Sequence, residues 1–445
     1  MIVTALVAAF TFVPAPALKG WALLDDASKR AVRYFVERSN PETGFTKDRS
    51  RNFTAEDSSD HTVASVAAIG YALAAYGIAA RRGWMTHAEA VARTQRTVHS
   101  LLTLAPKHEG WYYHWLDWKS GERQWKSEVS TIDSGILFSG LIIAEEALKD
   151  DEITRETEQI LKAVNWTYFL TDDGAKPDSL TICMGWHPED GFIPARWSGY
   201  FEHMMLLVLG LGSDPKMPAA AWAAVDRPVL HDYGYSFFGG GPLFIHEMSH
   251  VLIDFKGKRD SLGNDYWVSS RNITLMQRAY CEANPKHFAG YDINTWGLSA
   301  CDVPPSPEEA AHDTSGNAHG YGVQAVPNGN DNGTLAPPAA LASVLFTPAE
   351  SIAAAENFMA TYPKAYGRYG FSSGINPSRN WIGPDVIGID QGQMMLAIEA
   401  ARDGLPQRLF MGHPAISRGL ERIGLHKTNE GLLSSRPLQL PIKTR

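Results

Sequence analysis

The stretch HTVASVAAIGYALAAYGIAARR, residues 61–82, is rich in alanine and apolar almost throughout, with no charge between His61 and Arg81. A helix on the surface of a globular protein carries polar residues on its outer face. This one has no such face, so it reads as a buried helix. VSTIDSGILFSGLIIAEEALK, residues 129–149, has the same character, with Asp133 as a lone acid opening an apolar run. Leu23–Arg38 is of the other kind: Leu24, Ala31, Val32, Phe35 and Val36 recur near helical spacing with charges between them. Thr86 reads as the N-cap of a helix reaching about Leu104, with Glu89 completing a capping box. Further helices are predicted over 153–170, 199–211, 243–254, 268–284, 348–362, 390–403 and 415–423. Strand-like alternation is not convincing anywhere. Buried helices and amphipathic helices in one chain fit an all-α fold in which inner and outer helices alternate around a ring.

The connections 106–128, 171–197, 213–241 and 285–347 are long and hold many of the Trp, Tyr, Gly and Pro residues. Long loops in a compact domain usually carry function. No Pro/Gly/Ser linker divides the chain and no repeat is visible, so residues 18–445 read as one domain. Residues 1–17, MIVTALVAAFTFVPAPA, are apolar and end in Ala15-Pro16-Ala17. They read as a signal peptide without a basic leading segment, too short for a membrane span. The expectation is a periplasmic or secreted protein.

Composition narrows the function. Of 445 residues, 44% are hydrophobic, 11% aromatic and 20% charged, which excludes a disordered chain. Lys+Arg is 40 against Asp+Glu 49, a net charge of −9, and no dense basic stretch occurs, so a nucleic-acid partner is not expected. The 13 Trp, 16 Tyr and 18 Phe suit rings stacking on sugar faces, although a large aromatic core would need them equally. Cys183, Cys281 and Cys301 allow at most one disulfide and form no CxxC pair.

His246-Glu247-Met248-Ser249-His250 is an HExxH motif, which on a helix can hold zinc through both histidines with Glu247 as base. The continuation Val251-Leu252-Ile253-Asp254 lacks a further ligand, and Glu282 is the nearby candidate for one. A zinc metallopeptidase is thus a rival reading, and a non-catalytic glucan-binding protein is a second. GxSxG, Walker A and dinucleotide motifs do not occur. Three acids stand alone in apolar surroundings: Asp133, Glu202 in Trp197-Ser198-Gly199-Tyr200-Phe201-Glu202-His203-Met204, and Asp390 in Gly388-Ile389-Asp390-Gln391-Gly392. Asp133 and Asp390 also suit helix N-termini. Glu202 does not suit a cap, and burial would raise its pKa as a general acid requires. Two carboxylates suffice for glycoside hydrolysis.

Gly241-Pro242-Leu243-Phe244 with His246, Ser249 and His250, then Ile253-Asp254-Phe255-Lys256-Gly257, Ser270-Arg271-Asn272, Trp296-Gly297-Leu298, Asn332-Gly333-Thr334 and Gly388-Ile389-Asp390-Gln391-Gly392 resemble the glycoamylase-like family. That family includes the bacterial β-1,2-glucanases and a domain of cyclic β-1,2-glucan synthases. Asp48-Arg49-Ser50 and Trp197-Ser198-Gly199-Tyr200 with Glu202 fit as well, and the likeness runs from about residue 22 to 425. The resemblance implies an (α/α)6 toroid and inverting hydrolysis of β-1,2-glucan, with loops 106–128 and 171–197 deciding endo against exo action and endo the expectation; the expected substrate is an oligo- or polysaccharide, with no cofactor, no metal and a monomeric protein. It implies Glu202 as general acid with Asp133 and Asp390 in the same pocket, and Arg49, Trp186, Arg196, Trp197, Phe244, His246 and Thr334 as substrate contacts. It places Glu247 at a variable position, which makes the HExxH match accidental.

Overall fold

The computed structural model describes residues 18–54, 61–170, 179–313 and 318–428. Among these, helices follow in the order α1 (Trp21–Glu37), α2 (Val66–Arg82), α3 (His87–Thr103), α4 (Thr131–Leu148), α5 (Asp151–Lys162), α6 (Met204–Ser213), α7 (Ala220–Ala224), α8 (Leu243–Met248), α9 (Tyr266–Ala283), α10 (Pro307–His312), α11 (Pro337–Ala342), α12 (Pro348–Thr361), α13 (Gly388–Asp403), α14 (Leu405–Gly412) and α15 (Pro414–Arg422). Residues Val66 to Ala79 of α2 are all buried, α4 leaves only Ile132 and Glu146 outside the buried set, and α11 is buried along its whole length. The apolar, uncharged segments are therefore the inner wall, as their composition requires. By contrast α1 buries Leu23, Leu24, Ala27, Ala31, Tyr34 and Phe35 and turns its charges outward, and α5 does the same with Ile153, Thr157 and Ile160.

The inner ring closes on itself. α2 packs on α4, α4 on α6, α8 on α11, α11 on α13, and α13 back on α2. Ser249, just after α8, accepts from the Met205 amide at 3.0 Å and donates to the Glu202 carbonyl at 2.8 Å, which ties α8 to the start of α6. Outside the ring, α1 covers α2 and α13, α3 covers α2 and α4, α5 covers α4, α15 covers α6, α9 covers α8 and α12 covers α11. Six inner and six outer helices make an (α/α)6 toroid. The α2–α4 contact is unusually close: a Cβ on Gly140 would stand 1.9 Å from the Gly70 carbonyl oxygen, so only glycine fits the crossing.

Several boundaries differ from the sequence reading. α6 starts at Met204, and residues 199–203 approach it as a loop; α8 ends at Met248, and α5 ends at Lys162 with a short 3₁₀ turn at Tyr168–Leu170. The Thr86 side chain caps Glu89 N at 3.2 Å, but the Glu89 carboxylate pairs with Arg93 instead of closing the box. The inner helix α11 lies inside the connection read as loop over 285–347. It has six residues and two prolines in its first turn, where a missing N–H costs nothing, and so offers no periodic pattern to read. The long connections also carry short antiparallel ladders, such as 49–51 with 385–387, 63–65 with 115–117 and 129–130 with 185–186. The three cysteines are buried and form no disulfide with one another. Among the described residues, no helix is long and apolar enough to cross a membrane. The segment 1–17 lies outside the described residues.

Candidate active site

These ladders precede inner helices, and their hydrogen bonds gather the helix starts at one mouth. Asp48 donates its amide to the Val63 carbonyl and accepts from Gly388, joining the entrances of α2 and α13; His114 accepts from Val66 and donates to Glu128, joining those of α2 and α4. Asp133 and Asp390 each stand at the third position of their helices, in the matching patterns Val129-Ser130-Thr131-Ile132-Asp133 and Val386-Ile387-Gly388-Ile389-Asp390. The free amides of a helix N-terminus favour a carboxylate there.

The niches of the acids are different. Asp133 is buried, accepts from the Ser130 hydroxyl at 2.6 Å, and has His114 Nε2 3.5 Å from its Oδ1. The other ring nitrogen of His114 lies 2.8 Å from Glu128 Oε1. Burial would lower the pKa of this imidazole, but the charges of Asp133 and Glu128 outweigh it and push it to about 9, so a cation faces Asp133 at neutral pH. Glu202 is buried just ahead of α6, where loss of solvation and then the Asp133 charge push its carboxyl to about 7. Asp390 accepts from Ser373 Oγ at 2.8 Å; burial pushes it to about 8, with Asp302 and Asp48 adding and Arg49 opposing.

A fourth acid joins them. Glu247 is buried, accepts from Ser343 Oγ at 2.8 Å and from Gln393 Nε2 at 2.7 Å, and is pushed by burial to about 8. Phe244, Glu247, Asp390 and Gln393 line one cavity. Asp133 and Glu202 do not line that cavity, but all four acids act on Tyr71 of α2, whose phenol is held neutral first by burial and then by the charges of Asp133, Asp390, Glu247 and Glu202. Gly392 lets α13 close on that ring, since a Cβ there would stand 2.1 Å from Tyr71 Cγ.

The expected substrate contacts divide. Phe244 lines the cavity. Arg49 reaches the mouth, with its guanidinium 3.1 Å from Asp302 and 3.4 Å from Asp48. Trp186 is half-buried and stacks flat on His108 with ring centres 3.7 Å apart. Trp197 is buried, donates from its indole to Thr131 Oγ1 at 3.0 Å and stacks on His203, so it ties α4 to the approach of α6. Arg196 donates to Thr181 Oγ1 at 3.0 Å and to the Leu170 carbonyl at 3.1 Å, clamping its own loop. Thr334 is fully buried and accepts from Asn376 at 3.0 Å. His246 is fully buried, with Ser270 Oγ 3.5 Å from Nδ1; the same hydroxyl lies 3.1 Å from His250 Nε2. Trp197, Arg196, Thr334 and His246 are thus each engaged by protein neighbours in this structure.

The HExxH side chains part company. The histidines share Ser270, Glu247 turns to Ser343 and Gln393, and the helix ends within the motif. Among the described residues, a metal-like group of three forms elsewhere, from Asp302, His319 and Asp385 within 4.8 Å. Arg49 already supplies a fixed cation there, 3.1 Å from Asp302 and 3.7 Å from Asp385, with His61 3.1 Å from Asp385 on the other side.

The Glycoamylase family model matches residues 194–414, a span holding Glu202, Glu247 and Asp390. Over that span the chain is similar to the glycoamylase-like family. It is 26% identical over 441 residues to an exo beta-1,2-glucooligosaccharide sophorohydrolase (non-reducing end) of Parabacteroides distasonis; the match covers 90% of this chain and 57% of that one, so the chain spans just over half the relative's length. Its fold is that of an endo-beta-1,2-glucanase from Chitinophaga pinensis solved with sophorotriose and glucose, with a TM-score of 0.80, 24% identity, and coverage of 92% and 99% of the two chains. A beta-1,2-glucanase of Parabacteroides distasonis shares it too, with a TM-score of 0.78, 23% identity, and coverage of 91% and 60%.

Proposed function

We propose that this protein is a glycoside hydrolase that cleaves β-1,2-linked glucan, with Glu202 as the general acid. The observation that carries this reading is the pair of buried carboxyls at the entrances of neighbouring inner helices, Asp133 in the first turn of α4 and Glu202 just ahead of α6, with burial pushing Glu202 up to about 7. Hydrolysis needs one group to protonate the leaving oxygen and another to take a proton from the attacking water. Glu202 has the environment for the first task. Asp133, bound by Ser130 and faced by the His114 cation, has the environment of a carboxylate for the second, and Asp390 is the alternative base. The sophorohydrolase likeness supports the β-1,2 linkage. In the finer proposal, cleavage is endo and inverting, the protein acts as a monomer, and residues 1–17 direct export to the periplasm or medium, leaving a mature chain that starts near Leu18.

The test is a panel of linear β-1,2-, β-1,3-, β-1,4- and α-glucans, offered to protein stripped by a chelator, with products followed by length and anomeric form. Release from the β-1,2 polymer alone, as a ladder of lengths, is the expected result. Activity that vanishes in chelator and returns with zinc would overturn the carboxylate reading.

A further inference from the structure

Beyond the pocket, the hairpin after Trp115–Asp117 carries an indole that its local structure does not explain. Trp125 is 70% exposed, more than any other large apolar residue described. Trp125 and Lys126 both hold left-handed backbones, with φ of 53° and 51°, which non-glycine residues adopt only when their surroundings impose it. The surroundings are well built. Gln124 donates its amide to the Trp115 carbonyl at 2.9 Å, and Ser127 donates to that of Gln124 at 2.9 Å. Arg123 donates to the carbonyls of Ser127 and Lys126, both at 2.6 Å, and to Glu189 at 2.7 Å. A single exposed apolar residue is ordinary, but this indole is held out by a braced turn with two successive left-handed residues, so its position is imposed by the fold.

The ring also has a direction. Trp125 meets Trp115 edge-on at 5.5 Å; Trp115 stacks on His114 at 4.0 Å; and His114 Nε2 lies 3.5 Å from Asp133. A line of rings thus runs from the exposed turn to the acids. Its neighbours Arg123, Lys126 and Glu189 are charged, so the surface offers one isolated aromatic face among hydrogen-bonding groups. That suits a pyranose, whose apolar C–H face covers a ring while its hydroxyls meet polar neighbours. We propose that Trp125 is a remote sugar platform, which holds the glucan chain beyond the reacting unit and sets a preference for long substrates over short ones; this rests on the glucan-hydrolase reading.

The test compares steady-state kinetics on linear β-1,2-glucan polymer and on its trisaccharide for wild type, Trp125→Asn and Trp125→Phe. Asparagine tolerates the left-handed backbone, so that variant removes the ring and keeps the turn. The expected result is a KM for the polymer raised roughly three- to tenfold in Trp125→Asn, with kcat and trisaccharide kinetics unchanged, and with much of the loss recovered in Trp125→Phe. An unchanged Tm confirms that the turn is intact. Equal shifts on polymer and trisaccharide, no shift on either, or no recovery by phenylalanine would overturn the platform while leaving the hydrolase reading in place. A wild type inactive on every β-1,2-glucan would overturn both.

Discussion

The entrances of α4 and α6 present a carboxyl each, and they treat it in opposite ways. Asp133 receives a hydroxyl hydrogen bond from Ser130 and a charged imidazole from His114. Glu202 sits beside Tyr200, Phe201, Met204 and Met205, loses its hydration, and feels Asp133 as a like charge. One carboxyl has polar partners, and burial pushes the other up to about 7. Paired acid and base chemistry requires two carboxyls in unlike environments. The toroid supplies this by letting helices of different composition open on one mouth.

The largest effect expected is on the buried partner. Glu202→Gln retains shape and loses the proton, so turnover of β-1,2-glucan should fall by roughly two to four orders of magnitude, with glucan binding by calorimetry little changed. A near-wild-type rate would erase the contrast between the two niches. The hydrogen-bonded partner is tested by comparing Asp133→Asn with Asp390→Asn. If the His114 cation marks the base, Asp133→Asn should show the larger loss of kcat, and added azide should rescue it. A larger, azide-rescued loss in Asp390→Asn would transfer the base role to α13.

The third effect is on stability. Trp197→Ala removes a buried ring and its hydrogen bond to the first turn of α4, between the two niches, and should cost roughly 3 kcal/mol, seen as a lower Tm. An unchanged Tm with weakened glucan binding would return Trp197 to the pocket wall. The smallest effect concerns Glu247, which shares the burial of Glu202 without its place ahead of α6. Glu247→Gln should keep substantial activity. The folded carboxyl holds its proton to about pH 8, whereas the unfolded one gives it up near its ordinary 4.5. Wild-type stability therefore declines across that window, and the Tm advantage of Glu247→Gln should widen by a few degrees from pH 4.5 to pH 8. A constant difference would mean that Glu247 is solvated.

Much of this was legible in the residues. Helices without a polar face announced the inner wall, and lone acids in apolar runs announced Glu202, Asp133 and Asp390. The same signal marks Glu247 in Phe244-Ile245-His246-Glu247-Met248, where the zinc motif diverts attention from it. Other features needed three dimensions. α11 is too short and too proline-rich to show a period. His114 sits in an aromatic hairpin, and its role exists only once Glu128 and Asp133 close on it. Arg196, Thr334 and His246 have the right chemistry for a sugar, yet a linear pattern cannot show that a carbonyl, an amide or a hydroxyl already occupies each of them.

The claim at the centre is that Glu202 delivers the proton to the leaving oxygen, and a substrate that needs no proton tests it most directly. Wild type and Glu202→Gln should be compared on β-1,2-glucan and on a β-sophoroside with a dinitrophenyl leaving group. The account predicts that the variant is slowed by roughly two to four orders of magnitude on the glucan and works at close to the wild-type rate on the activated glycoside. It also predicts that the wild-type kcat/KM on glucan falls as pH rises through about 7, where Glu202 gives up its proton. Equal losses on both substrates would contradict it.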